Sequence, residues 1–553
     1  MAPSPRYAIG IDTGGTCTDA VALTLPDRTL AAWAKRPTTH YDLSQGIAQA
    51  LGDVLTAIQA DPAAVDLVAV STTLATNAVV ERRGSRVGLI LIGPAQGVDL
   101  PVFGVANVRG GHLIDGAEME PLDLDRLTEA IHSFRGMVDA YAVCAAMSFV
   151  NPAHEQVAAR AIQLMDPGVP VLCSHEASHQ AGLEARAATA VLHARLMPFM
   201  EEFLDGVRRA LESHGLACPV RIVRGDASCM DMTEALRHAG DTFGSGPAAT
   251  AAFGCHCALA PDALVVDVGG TTTDLSLIRG GVPTITEEGS RIGPWQTHIR
   301  AVEMFTVGLG GDSFARPIQR SGGKLGIEVG PERVMSLCTA PGPLPDPAQW
   351  MGVGHSSRVV IPAPGLDETL AQGDQVLLHL LARGPRSIGQ LVEELRISEI
   401  SLEQRLGDLT RAQLAVEAGF TPTDALRVLG RMDLGDAAPA RAAAEVLAKV
   451  LGQTPEAVCQ AVLRRAQERI AAAIIDYVAR RDVGGNLASF LAEERPDALL
   501  RIHVTIPLPL VGMGAGAPEL LPGVAELLGT ELRLPEHHQV GNALGAALIG
   551  LDS

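Results

Sequence analysis

Near its start the chain reads Ala8-Ile-Gly-Ile-Asp12-Thr13-Gly14-Gly15-Thr16-Cys17-Thr18-Asp19, and near its middle Leu264-Val-Val-Asp267-Val268-Gly269-Gly270-Thr271-Thr272-Thr273-Asp274. Aligned on Asp12 and Asp267, the two stretches share Asp, Gly, Gly, Thr, Thr and Asp. They differ at Thr13/Val268 and Cys17/Thr272. Each follows a short β-branched run and precedes another, Ala20-Val-Ala-Leu23 and Leu275-Ser-Leu-Ile278. That pattern predicts strand, tight turn, strand, with a Gly-Gly tip. One Gly-Gly turn says little by itself. Two near-identical copies about half a chain apart predict duplicated lobes around a cleft.

The chemistry of the hairpin follows from its residues. Gly14, Gly15, Gly269 and Gly270 carry no side chain, so backbone N–H groups can face an anion. Thr13, Thr16, Thr18, Thr271 and Thr272 add hydroxyl donors for phosphate oxygens. A carboxylate at the strand end, Asp12 or Asp267, suits Mg²⁺ held through water. Two such hairpins facing each other would grip the β- and γ-phosphates of one nucleotide.

The bulk of the sequence narrows the alternatives. With 553 residues, 47% of them hydrophobic, the chain is too long for one ordinary core and apolar enough to fold. A net charge of -20 repels phosphodiester backbones, so no nucleic-acid partner is expected and any nucleotide site must be local. Nine cysteines are scattered, with no Cys-x-x-Cys pair, which predicts free thiols in a reducing cytoplasm. No signal peptide is read at the N-terminus, and no apolar run reaches the roughly 18 residues of a membrane span. Oligomeric state is not legible, so a homo-oligomer stays open.

Other segments add to the hairpins. They are Ser71-Thr72-Thr73-Leu-Ala-Thr76-Asn77-Ala78, Gly244-Ser245-Gly246-Pro247-Ala248-Ala249, Val307-Gly308-Leu-Gly310-Gly311-Asp312-Ser313 and Thr421-Pro422-Thr423-Asp424-Ala425. The hairpins resemble the phosphate motifs of the actin-like ATPases. The whole set resembles the hydantoinase/oxoprolinase family, from the first strand to about residue 430. The resemblance implies an α/β, two-lobed actin-like ATPase of duplicated ribonuclease H-like lobes, with ATP and Mg²⁺ as cofactors. It also implies ATP-driven opening of a cyclic amide, by phosphorylation of a poorly reactive carbonyl oxygen, and it allows for a hydantoinase B-type partner subunit. A non-catalytic ATP-driven switch acting on a partner, and a small-molecule kinase, are the competing readings. Residues 331–420 match little of the family pattern, which leaves the substrate open.

Along the chain, β/α alternation to about residue 180 defines the N-terminal lobe. Residues 181–338 and 421–553 are assigned to the second lobe, and 339–420 to a linker and helical insertion. The linker is the Pro- and Gly-rich stretch 339–366. Residues 374–420 read as three short helices with a Leu-rich core. A winged helix would fit that pattern, but seven acidic residues against five basic disfavour DNA. Residues 437–478 read as amphipathic helix and 501–506 as a strand. Gly512 and Gly514 fall in a Gly-rich turn that, by the resemblance, contacts the adenosine. Val540 to Ala547 reads as a helix with small residues on one face.

Several candidates carry a competing bland reading. His175-Glu176-Ala-Ser-His179 has the spacing of a zinc protease motif, but it directly follows a strand and Gly182 soon interrupts it. A cleft-lining role for His175 and Glu176 is preferred. Asp226, after a strand, is read evenly as a general base or as the cap of a helix near Asp231. Thr72, Thr73, Thr76 and Asn77 are assigned to the substrate end of the cleft, with helix capping explaining one of them at most. Gly310 and Gly311 are assigned to the nucleotide. His537 and His538 are read as surface loop.

Overall fold

The computed structural model describes residues 5–15, 17–38, 43–80, 84–94, 99–320, 322–354, 356–363, 374–412, 414–482 and 504–553. Thr16, one of the expected phosphate donors, lies outside the described residues, as do 501–503 of the expected strand. The chain divides into two compact units. One comprises Met1–Ala263, Ser276–Met304 and Gln539–Ser553, and the other Leu264–Leu275 and Phe305–His538.

The first unit is built on two sheets. The strands β1 (Arg6–Thr13), β2 (Cys17–Leu25), β3 (Leu30–Pro37), β4 (Val65–Thr72), β9 (Val220–Val223) and β10 (Cys229–Met230) form a sheet of order β10-β9-β4-β1-β2-β3. β1 is antiparallel to β2, with Asp12 opposite Asp19, and parallel to β4, with Asp12 beside Ser71. The second sheet has the order β6-β5-β7-β8, from β5 (Val87–Ile92), β6 (Gly104–Val108), β7 (Ala140–Ala145) and β8 (Val171–Cys173), all parallel. Parallel strands need helical crossovers and are buried on both faces, which explains their continuous apolar runs. α3 (Leu124–Phe134) and α4 (Ala153–Met165) cover one face of this sheet. The helix α6 (Leu183–Ser213) supplies small residues to the other.

On the six-stranded sheet, Ile9, Ile11, Val68 and Val70 pack against Ile47, Leu51 and Val54 of α1 (Leu43–Ile58) and against Met200 and Phe203 of α6. The opposite face meets α8 (Ser245–Cys257) and the C-terminal helix Gly541–Asp552 at backbone contact distance. A Cβ on Gly10 would overlap the carbonyl oxygen of Ala543, and one on Gly545 that of Ala249. The small-residue helix face expected from the sequence is thus a three-way contact of β1, α8 and the C-terminal helix.

In the second unit, β11 (Ala263–Val268) runs parallel to the strand Leu510–Met513, which runs parallel to Leu532–Arg533. The three expected helices are Gln375–Ala382, Ile388–Leu395 and Glu399–Arg411, around Leu377, Leu381, Leu391, Leu402 and Leu406. Asp374, Ser387 and Ser398 cap their N-termini. The insertion is not purely helical, however. Val359–Pro362, inside the expected linker, pairs with Ala415–Gly419 and Arg386–Ser387, and Ala415–Gly419 pairs with Met335–Ser336. Two further expectations are corrected. Residues 437–478 are two helices, Ala437–Leu451 and Pro455–Asp482, broken where Gly452 takes φ +65°. Val504 to Ile506 form no strand. Among the described residues no helix is long and apolar enough to cross a membrane.

Candidate functional site

The first hairpin ends on Asp12, whose carboxylate is buried at 4% exposure. The Ser71 hydroxyl donates to its Oδ1 at 2.6 Å, and the Asn542 amide donates to its Oδ2 at 3.2 Å. Burial outweighs these two donors and pushes the Asp12 carboxyl up to about 6. Asp19 adds to the rise and Lys35 opposes it. Asp19 is itself ion-paired with Lys35 at 2.8 Å. Behind the tip, the Gly14 N–H donates to the Cys17 carbonyl, and the Thr38 hydroxyl bonds both the Gly14 carbonyl and the Thr18 hydroxyl. Thr18 is fully buried, so it braces the turn from behind.

Among the described residues Thr13 Oγ1 is buried with no hydrogen-bond partner, and Asp19 Oδ1 likewise. Among the described residues the Gly15 N–H also has none. A buried hydroxyl without a partner costs about 1–3 kcal/mol, a cost that a ligand oxygen at this tip would relieve. Carboxylate and hydroxyl oxygens are hard donors, and they fit a Mg²⁺–phosphate group.

The Thr-Thr-x-x-Thr-Asn stretch sits at the same tip. α2 (Leu74–Val80) begins there, and Thr72 Oγ1 accepts the Leu74 N–H, which is the capping job expected of one residue. Thr72 is also locked to Ser245, which accepts its N–H at 3.1 Å and donates to its carbonyl at 2.8 Å. The Thr73 N–H donates to the Thr13 carbonyl, and Thr76 Oγ1 accepts the Gly244 N–H. The Asn77 amide donates to Thr73 Oγ1 and would lie 3.1 Å from a Cβ on Gly15, so it faces the tip. Gly246 lies beside them: a Cβ on it would stand in ordinary contact, 3.7 Å from Asp12 Oδ1 and 3.6 Å from Thr73. Thr73, Asn77, Gly15, Gly246 and Asp12 are therefore brought together within one unit.

The second hairpin is built differently. β12 (Thr273–Arg279) follows its turn, and the Gly269 N–H donates to the Thr272 carbonyl. Asp267 is half-buried, and Gly514, at φ +83°, comes so close that a Cβ there would overlap its carboxylate. Gly512 lies in the strand beside Leu521 and Leu534, whose methyl groups would have to shift for a Cβ. Thr272 donates to Asp274 Oδ2 at 3.3 Å. Burial raises the Asp274 carboxyl, opposed by the Thr306 and Thr272 hydroxyls. The N–H groups of Gly270 and Thr271 have no partner among the described residues.

The Gly310 and Gly311 amides, expected on the nucleotide, are spent within the loop. The Gly310 N–H goes to Ser313 Oγ and the Gly311 N–H to the Gly269 carbonyl. Their role here is to hold the hairpin. The Thr421-Pro-Thr-Asp run holds them in turn, since the Thr423 N–H and hydroxyl both donate to the Gly311 carbonyl.

Other expectations are altered by the geometry. Asp226 Oδ1 accepts from the Ser228 N–H and hydroxyl, closing its own loop, while Asp231 caps α7 (Met232–Arg237). His538 is tied to the Gly514 turn, its Nδ1 2.9 Å from the Gly514 carbonyl, so it is no loose surface residue. His175 and Glu176 lie in α5 (Ser174–Ala177), which ends before His179, so the zincin arrangement does not form. His175 Nδ1 instead donates to Glu155 at 2.6 Å, which raises its pKa. The wholly buried Glu155 also accepts from the N–H groups of Ala145 and His175 and from the Ser174 hydroxyl. Cys173, His175 and Glu155 place ligand atoms within 4.8 Å of one another. With four donors already on it, that carboxylate has filled its lone-pair directions. The group is a closed hydrogen-bonded network.

Sequence reasoning missed Ser71, Asn542 and Glu155 as partners. Ser71 stood at the edge of a quoted motif. Glu155 had no signal beyond its place in an amphipathic helix.

The structure aligns with a nucleotide-free acetone carboxylase at TM-score 0.66, with 17% identity, over 98% of this chain and 70% of that one. It aligns with the ATP-dependent caprolactamase of Pseudomonas jessenii at TM-score 0.64, with 22% identity and the same coverage. The fold is thus an α/β fold of the actin-like ATPase class, carrying an Asp-x-Gly-Gly-Thr hairpin in each unit. Profiles for the "Hydantoinase/oxoprolinase N-terminal region" and for "Hydantoinase/oxoprolinase" match residues 8–165 and 186–550. The chain belongs to the hydantoinase/oxoprolinase family. It is 28% identical over 342 residues to the caprolactamase subunit alpha of Pseudomonas jessenii, covering 56% of this chain and 49% of that one. It is 30% identical over 383 residues to the acetophenone carboxylase gamma subunit of Aromatoleum aromaticum, covering 61% and 50%. The chain spans about half the length of these curated relatives.

Proposed function

We propose that this chain is the nucleotide-handling component of an ATP-dependent enzyme that activates a cyclic amide by phosphorylating its carbonyl oxygen. The supporting observation is the tip around Asp12, a buried carboxylate held by two neutral donors beside a Thr13 hydroxyl and a Gly15 N–H that have no partner among the described residues. In such a site catalysis is mostly positioning and charge neutralisation. Asp12 and Asp267 would hold Mg²⁺, which supplies the charge neutralisation when bound. Gly15, Gly270 and Thr271 would hold phosphate oxygens through their amides, and Thr13 through its hydroxyl. Thr73 and Asn77 would orient the acceptor oxygen. As the carbonyl oxygen attacks the γ-phosphorus and ADP leaves, Asp12 would take the proton that the ring N–H gives up. His175 is proposed as a further substrate contact. The relatives' names, a lactamase subunit alpha and a carboxylase gamma subunit, support a second polypeptide as partner.

The test is ATP hydrolysis by the purified chain with Mg²⁺, alone and with hydantoins, 5-oxoproline, lactams, or an aryl ketone plus bicarbonate. Stimulation by one ring compound is expected. Stimulation by the ketone alone would replace the cyclic amide reading with a carboxylase one. Nucleotide-dependent capture of a partner without any substrate effect would favour an ATP-driven switch.

A further inference from the structure

Asp12 and Asn542 are 530 positions apart in sequence, yet the amide of one is bonded to the carboxylate of the other. An amide has a donor end and an acceptor end, and only the donor end favours a carboxylate. Something must therefore set its orientation. The Thr250 hydroxyl of α8 donates to Asn542 Oδ1, which leaves Nδ2 for Asp12 Oδ2. The Gly246 carbonyl, one turn back along α8 and 3.2 Å from Thr250 Oγ1, is a second acceptor for the same single proton, and Asn542 Oδ1 is the nearer of the two. Asp12 Oδ2 is the oxygen turned toward the tip, 4.0 Å from where a Cβ on Gly14 would stand.

The backbones around this chain of bonds cannot slide. β1 crosses the C-terminal helix at Gly10, and α8 crosses it at Gly545. Any side chain at either crossing would overlap a carbonyl oxygen. Ala546, Ala249 and Val223 fill the space beside them. Three separate elements are thus fixed to within contact distance, and the polar atoms at their junction point to one carboxylate. Packing alone would be served by Leu at 542 and Val at 250. Thr250 is buried and Asn542 half-buried, so the polar choice costs stability that leucine and valine would not, and orientation of the amide is what it supplies in return.

We infer that Asn542 is a positioning residue for Asp12, and that the Thr250 hydroxyl sets which end of the Asn542 amide faces that carboxylate. The inference rests on the proposed role of Asp12 as a working carboxylate. With Thr250→Val the Asn542 oxygen loses its donor, and only Asp12 itself is left to hold the amide in place. With Thr250→Ser the donor remains. Asn542→Leu removes the contact at similar volume.

The experiment uses the full chain. It measures single-turnover hydrolysis of γ-labelled ATP with enzyme in excess, the Kd of a fluorescent ATP analogue with Mg²⁺, and Tm. Hydrogen bonds to charged groups are worth about 1.5–3 kcal/mol. Thr250→Val and Asn542→Leu are therefore expected to slow turnover roughly 10- to 100-fold, with Kd changed less than about threefold. Thr250→Ser should stay near wild type. Equal rates for Thr250→Val and wild type would overturn the inference. So would Thr250→Ser falling as far as Thr250→Val, or a loss confined to Tm. Asn542→Leu need not fold for the two Thr250 variants to decide the matter. Asp12→Asn separates the two levels. If it turns over like wild type, the role of Asp12 is wrong. If it is inactive while Thr250→Val is normal, only the positioning is wrong.

Discussion

Asp267→Asn should abolish nucleotide turnover while the fold persists. Losing a group that holds the cation or moves the proton typically costs about 10²–10⁴-fold. Asp267 is half-buried, and Asn has the same shape, so the second hairpin should keep its Gly269 to Thr272 bond. Asp12→Asn should cost as much turnover and little stability. Its new amide can turn its oxygen to the Asn542 donor and its nitrogen to the Ser71 hydroxyl, which can accept while donating to the Ile11 carbonyl. The pair is checked by steady-state hydrolysis and by Tm. Turnover within about threefold of wild type in Asp267→Asn would remove that residue from the site. The acid limb carries a sign as well. Burial holds the Asp12 carboxyl near 6, so kcat/KM should fall as pH drops through 6 and the carboxylate is protonated. An acid limb unchanged in Asp12→Asn would assign it to another group.

The parts of this site that were legible in the sequence are those built from contiguous residues. Asp12 to Asp19 reads as a hairpin because period, turn glycines and flanking strands all lie within a dozen positions. The Leu-rich helices after Asp374 were legible for the same reason, their capping residues standing directly before them. Illegible was everything that depends on distant segments meeting. Glu155 reads as one acidic residue in a helix, and only the β7 and β8 strand ends turn it into the acceptor of four donors. Gly310 and Gly311 are assigned to the nucleotide because their loop resembles a Gly-rich loop of the family. Their amides prove to be satisfied by Ser313 and Gly269. Asn542 lies in a helix legible only for its small residues, and nothing in its own neighbourhood points to Asp12.

The Thr421-Pro-Thr-Asp run shows how a motif can matter without touching a ligand, and it yields the largest stability effect expected here. Asp424 is completely buried. It closes a capping box with Thr421 and also accepts the N–H groups of Leu337, at 3.0 Å, and Cys338, at 2.7 Å. Thr421 is joined to Ser336, and Ser336 reaches Asp312 at 3.4 Å. The run therefore clamps two chain segments behind the loop that holds Gly269 and Gly270. Asp424→Ala would strand the N–H groups of Leu337, Cys338 and Thr421 in a dry interior, each at about 1–3 kcal/mol. A total loss of roughly 3–5 kcal/mol is expected, read as the urea midpoint at constant m-value. Loss of less than about 1 kcal/mol would show that water or a local shift replaces the carboxylate. The pH dependence gives an independent check. Burial raises the Asp424 carboxyl to about 6, above its unfolded value, against the pull of the backbone donors. The folded chain then binds the proton more tightly than the unfolded chain, so this group's contribution falls as pH rises from about 4 through 6 and is level above. The advantage of wild type over Asp424→Ala should accordingly be larger at pH 5 than at pH 7. A difference that grew with pH instead would mean that the three N–H donors outweigh burial, and that Asp424 is held as a stable carboxylate.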